Sequence, residues 1–176
     1  MCGKQESNLT GMNPSTDNNI KPDIITLTNV IACLERAEGK TNLERMDEVF
    51  EDAVERQIIL SDDSMDTTWE IDLSGMSLPV ARAACRFIMK RLLRTTAVDS
   101  DTKDLMLITG VGKQQQYHAS DGDESGSSRT ALREYVRQIL REDFEPALYS
   151  TIPSNAAGTV QVNKSNLDQW METQRS

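Results

Sequence analysis

Trp69-Glu70-Ile71-Asp72-Leu73-Ser74-Gly75 alternates apolar and acidic side chains, then stops on a small polar turn. Alternation of this kind is the period of a half-buried strand. Ser77, with Pro79 two residues later, announces a helix whose apolar stripe is Val80, Ala84, Phe87, Ile88 and Leu92. The short run Asp104-Leu105-Met106-Leu107-Ile108, closed by Thr109-Gly110, predicts a buried strand. After a long Gln/Asp/Gly/Ser loop from Lys113 to Gly126, a second helix is expected from about Ser127 to Glu142, with Ala131, Leu132, Tyr135, Val136, Ile139 and Leu140 inward. Ala147 to Ile152 and Thr159 to Val162 read as two further strands around a Pro-Ser-Asn-Ala-Ala-Gly turn, and Asn163 to Met171 as a closing helix. The order β-α-β-α-β-β plus a terminal helix predicts a two-layer α/β domain over residues 69–173.

Upstream the texture differs. Met1 to Asn19 is polar and aperiodic, and residues 1–20 are expected to be a disordered lead-in. Residues 21–60 carry two helical patterns, Leu27, Val30, Ile31 and Leu34, then Leu43, Met46, Val49, Phe50 and Val54, joined by a turn at Glu38 to Asn42. Such a helical hairpin is too small to bury its own core. Residues 61–68, Ser-Asp-Asp-Ser-Met-Asp-Thr-Thr, read as an acidic linker.

The whole chain has 176 residues, 38% hydrophobic and only 5% aromatic, so its core is expected to be aliphatic. Its charge of −9 is uneven: residues 1–68 hold 6 basic and 14 acidic side chains, a net of −8, and residues 69–176 hold 13 and 14, a net of −1. The overall pI of about 4.7 is therefore a poor guide to any one face. Cys2, Cys33 and Cys85 are odd in number and far apart, which fits a reducing compartment without a disulfide framework. With one histidine, His118, no apolar run of the ~18 residues a bilayer needs and no apolar or Arg-rich leader, the chain reads as intracellular. These features argue against a secreted, membrane-spanning or zinc-finger protein.

Ile71-Asp72-Leu73-Ser74-Gly75, Thr109-Gly110-Val111-Gly112-Lys113 and Leu132-Arg133 resemble, in order and spacing, the blocks of the Smr (small MutS-related) domain: an LDLHG-like strand end, a TGxG or HGxG loop and an LR pair. Asn155-Ala156-Ala157-Gly158, Val160 and Leu167-Asp168-Gln169-Trp170 are similar to the N-x-G…V…L-x-x-W ending of Smr domains in pentatricopeptide-repeat (PPR) proteins, with one extra residue before the Gly. Pro22 to Ile31 and Met46 to Ile58 look like one pentatricopeptide repeat with an insertion in its turn. The resemblance covers residues 22 to 171. It implies an Smr sandwich like the C-terminal domain of translation initiation factor 3, an RNA or DNA partner, RNA processing as the setting, and in several members an endonuclease activity. It also implies a chloroplast or mitochondrial address. Repeat arrays need about three or more units, so a single repeat reads as a truncated gene product or the tail of a longer array.

The resemblance selects the candidate site. Asp72, at the C-terminal end of the first strand where open α/β sheets place their crevices, could orient a water, act as a base or bind Mg²⁺ or Mn²⁺; it could equally stabilise the turn. Ser74 stands where members proposed to be active carry His, and a serine needs a neighbouring base to act. His118 could replace that imidazole, or be a solvated loop histidine. Thr109, Gly110, Gly112 and Lys113 could offer backbone N–H groups and one cation to a phosphate, although the spacing is not that of a P-loop. Two helical rows of cations, Arg82, Arg86 and Lys90, then Arg129, Arg133, Arg137 and Arg141, could attract phosphates or be neutralised by nearby acids. Arg133, in the LR pair, is the expected contact. The insert Asp121 to Glu124 opposes it. Thr28 falls near the base-facing position of a repeat, with Ser61 or Asp62 as partner, but the insertion blurs the register and no base is assigned. The leading expectation is nucleic-acid binding, with metal-assisted phosphodiester hydrolysis if catalytic. The alternative is a non-catalytic binding or scaffold module, and protein partners of the acidic hairpin stay open.

Overall fold

A computed structural model describes residues 22–60, 69–95, 102–110 and 125–176, with backbone only at 95 and 125–130. The expected lead-in, the acidic linker, and the loop carrying Gly112, Lys113, His118 and the acidic insert lie outside these residues. Helices α1 (Ile24–Arg36) and α2 (Lys40–Glu55) form the hairpin. Asp23 caps α1, its Oδ1 accepting the Thr26 N–H at 2.8 Å. Glu38 (φ 48°) and Gly39 (φ 88°) turn the chain into α2, where a glycine adopts the positive φ without a Cβ penalty.

The α/β portion follows as β1 (Glu70–Asp72), α3 (Leu78–Thr95), β2 (Leu105–Ile108), α4 (Ser125–Glu142), β3 (Thr159–Val162) and α5 (Lys164–Arg175). β2 is the central strand, parallel to β1 (Ile71 opposite Leu107) and antiparallel to β3 (Leu107 opposite Val160). The parallel pair needs a crossover, and α3 provides it.

The structure departs from expectation at Ala147 to Ile152. In place of a strand this segment makes one bridge, Thr151 opposite Gln161, with N–H···O distances of 2.8 and 2.9 Å. Pro146 and Pro153 flank it and cannot donate to a ladder, and Leu148 N–H donates to Leu140 O at 2.8 Å, tying the chain to α4 instead. The described sheet is therefore three-stranded. α4 begins at Ser125, inside the expected loop, and α5 runs four residues past Met171. No side chain of its own caps α5. Asp104 does so from across the sheet, accepting Lys164 N–H at 2.8 Å and Gln161 Nε2–H at 2.7 Å.

One cluster of buried residues runs through both portions, from Leu27, Ile31, Met46 and Phe50 of the hairpin to Leu73, Ile88, Leu107, Val136, Val160 and Leu167. Phe50 and Phe87 meet at 5.6 Å between ring centroids. α3 is buried on more than its expected stripe, because Ala81, Ala83 and Cys85 are buried as well. Small side chains there let the hairpin approach one flank while α4 covers the other. Val30 and Ala131, expected inward, are exposed; α1 buries Leu27 and Ile31, and α4 buries Leu132, Val136, Ile139 and Leu140. No described helix is long and apolar enough to cross a membrane.

Candidate nucleic-acid interface

Three loops meet at the C-terminal ends of β1 and β2, and strand pairing brings them together. Asp72 lies opposite Ile108, and Leu73 N–H donates to Ile108 O at 2.8 Å, so the Asp72–Gly75 loop leaves the sheet beside Thr109-Gly110. β3 starts opposite the end of β2, Thr159 facing Ile108, which brings the Asn155–Gly158 turn to the same edge. Thr109 is buried and binds that turn twice, its N–H and its hydroxyl donating to Gly158 O at 2.8 and 3.0 Å. From α4, Arg133 Nη1 donates to Ala157 O at 3.0 Å. Asp72, Ser74, Thr109, Gly110 and Arg133 are thus brought to one end of the sheet.

Asp72 is exposed and its Oδ1 accepts the Ser74 N–H at 2.8 Å. Met76 N–H closes the turn on Leu73 O at 3.1 Å, and Gly75 sits at φ 81°. The turn-stabilising role of Asp72 is therefore real, and its Oδ2 has no partner among the described residues. The Ser74 hydroxyl is exposed and likewise unpartnered among them. No described base stands against it, so nothing in the described residues activates it as a nucleophile. Thr109 gives its hydroxyl and N–H to the fold, which leaves Gly110 as the strand-exit residue with backbone to offer.

On α4, Arg133 and Arg137 share Glu134: Arg133 Nη2 lies 3.2 Å from Oε1 and Arg137 Nη1 3.1 Å from Oε2. Arg137 Nε is buried and makes no hydrogen bond to a described residue. Arg129 lies in α4, its side chain outside the described set.

The α3 row takes a different part from the one expected. Arg82 holds Asp143 with two hydrogen bonds, 2.8 and 2.7 Å, and Arg86 holds Asp47 with two at 2.8 Å. Lys90 reaches Asp47 at 2.8 Å and Arg94 reaches Glu51 at 2.7 Å. Tyr135 donates to Glu35, which also faces Arg82 at 3.7 Å. Hydrogen bonding to Asp143 raises Arg82 and hydrogen bonding to Asp47 raises Arg86, while burial, then Glu35, raises the Tyr135 phenol. These cations are the seam between hairpin and α/β portion, and are not a free phosphate track. The acids that pair them were the residues sequence reasoning missed. A signal existed: Asp47 lies four residues after Leu43 and three before Phe50, on the apolar face of α2, and a carboxylate there demands a buried cation.

No group of three His, Cys, Asp or Glu stands together among the described residues. Asp72 offers a single carboxylate, which fits only a hydrated Mg²⁺ or Mn²⁺ that a substrate phosphate also holds. No all-protein cage is formed by these residues.

No protein-family model matches the chain, and no curated protein and no solved structure does either. The Smr and PPR resemblance therefore enters the functional reading as a proposal.

Proposed function

We propose that this chain binds nucleic acid, with RNA the favoured partner, through an Smr-type sandwich preceded by one PPR-like repeat. One observation carries the reading: the Asp72–Gly75 loop, Thr109-Gly110 and the Arg133-bound Asn155–Gly158 turn converge at the ends of two parallel strands, where α/β sheets hold ligands. Gly110 lets a phosphate approach the backbone, and Arg133 supplies charge at the rim. Binding, and not cleavage, is the conclusion, because Ser74 has no imidazole's proton affinity near neutrality.

Phosphodiester hydrolysis is the second reading, favoured by one oxygen. Asp72 Oδ2 is exposed at the strand end with no described partner, so it could orient an attacking water and accept its proton. Purified protein incubated with labelled single-stranded and structured RNA and with supercoiled DNA, with Mg²⁺ or Mn²⁺ and with chelator, tests both readings. Salt-sensitive binding without cleavage is the expected result. Metal-dependent cleavage abolished by Asp72→Ala would make the chain a nuclease, and absence of binding to every nucleic acid would overturn the proposal.

A further inference from the structure

We propose that the cleft between the hairpin and the β1–α3 loop holds a phosphodiester of the bound nucleic acid, gripped by Arg36 with the Ser74 and Ser77 hydroxyls. This rests on the nucleic-acid reading above, and adds to it a residue and a path for the strand. The cleft has a volume of about 670 Å³, within the roughly 300–1,000 Å³ of sites that take small ligands. Asn29, Ala32 and Arg36 of α1 line one wall, and Ser74, Ser77 and Val80 the other. Ser74 belongs to both places, so the cleft opens directly from the Asp72 turn.

Three properties select a phosphate. Arg36 is exposed and has no ion pair with a described carboxylate, whereas Arg82, Arg86, Lys90, Arg94, Arg133 and Arg137 each face one. The Asn29 amide and the two serine hydroxyls make no hydrogen bond to any described residue, so three neutral donors stand beside that one cation. No aspartate or glutamate lines the cleft among the described residues, although the chain carries 28 acids and a charge of −9. Arg36 is thus a guanidinium without a described counter-ion in a cleft that no described acid lines. A guanidinium fork and hydroxyls suit phosphate oxygens, and the apolar lining, with Ala32, Ile58, Leu60, Met76 and Val80, suits the attached nucleoside. The strand then runs from the sheet end, past Ser74, toward the C-terminal turn of α1.

The test is fluorescence anisotropy with the full chain and a labelled single-stranded RNA, repeated across ~50–200 mM salt. Arg36→Ala is expected to weaken binding about five- to tenfold and to lower the log–log salt slope by about one, with Arg36→Lys restoring most of both. Arg45→Ala, an exposed hairpin cation outside the cleft, is the charge control and is expected to bind like the parent. Thermal melts of each variant check that α1 is intact. Parent binding with Arg36→Ala unchanged, or with Arg45→Ala equally weakened, overturns the cleft assignment alone. No binding by the parent overturns the nucleic-acid reading, and the cleft assignment with it.

Discussion

Asp47 is the residue on which the seam depends. Its side chain is only 4% exposed and takes two hydrogen bonds from Arg86 and one from Lys90. Removing one partner of a buried pair leaves the others uncompensated. Asp47→Ala is therefore expected to cost about 3 kcal/mol in urea unfolding, the low end for such a pair because Lys90 reaches solvent. Asp52→Ala, which breaks an exposed pair with Arg56 at 2.8 Å, is expected to cost under ~0.5 kcal/mol. Asp47 was visible in the sequence as a misplaced charge, but its partner 39 residues later was not, because helical periodicity says nothing of which helix faces which. Cys85 makes a second residue-level case. Burial pushes its thiol up to about 12, so at neutral pH it stays protonated and inert. In the native protein at pH 8, iodoacetamide is expected to alkylate exposed Cys33 and spare Cys85, read by peptide mass spectrometry. Since the folded value lies above the unfolded one, the stability that Cys85 contributes is complete below about pH 8.5 and is lost as pH rises from there toward 12.

Element by element, the contacts of α1 and α2 with α3 make the hairpin part of the domain, and α2 contributes the aromatic pair. Phe50 is fully buried and meets Phe87 across the α2–α3 contact. Phe50→Ala is expected to cost about 3–5 kcal/mol, and to lower the stability of the sheet along with that of the hairpin. Amide hydrogen exchange checks this: β2 amides such as Met106, bonded to Trp69 O at 2.7 Å, should lose protection in the variant together with those of α1. A hairpin that melts alone would show the two portions to be independent. The β1–α3 turn is a separate element-level test. A Cβ on Gly75 would meet nothing within 4 Å, so Gly75→Ala carries only the strain of φ 81°, about 1 kcal/mol by denaturant unfolding. Element identity was legible where the period was long and clean, as in α2 and α3. It failed at Ala147 to Ile152, where apolar residues look like a strand but two prolines and the Leu148–Leu140 bond hold the chain to a helix end.

Over the whole molecule, charge separation along the chain becomes charge pairing in space. The acidic hairpin and the basic α3 face neutralise each other through Glu35, Asp47 and Glu51. A fragment of residues 69–176 would expose Phe87 and leave Arg86 and Lys90 without their hairpin acid. It is expected to be less stable than the full chain and prone to self-association, measured by thermal melting and light scattering. The local order was readable from the chain alone: which segments are helices, where β1 and β2 end, and that Asp72, Ser74, Thr109, Gly110 and Arg133 belong to segments that finish or flank strands. Side-chain periods and turn residues act over a few positions, so a sequence displays them directly. Tertiary packing alone decided which cations remain free. An arginine row reads the same in sequence whether water, phosphate or a buried aspartate faces it, and only tertiary packing commits Arg86 and Lys90 to Asp47 of α2 and Arg82 to Asp143 beyond α4, while leaving Arg36 open beside Ser74.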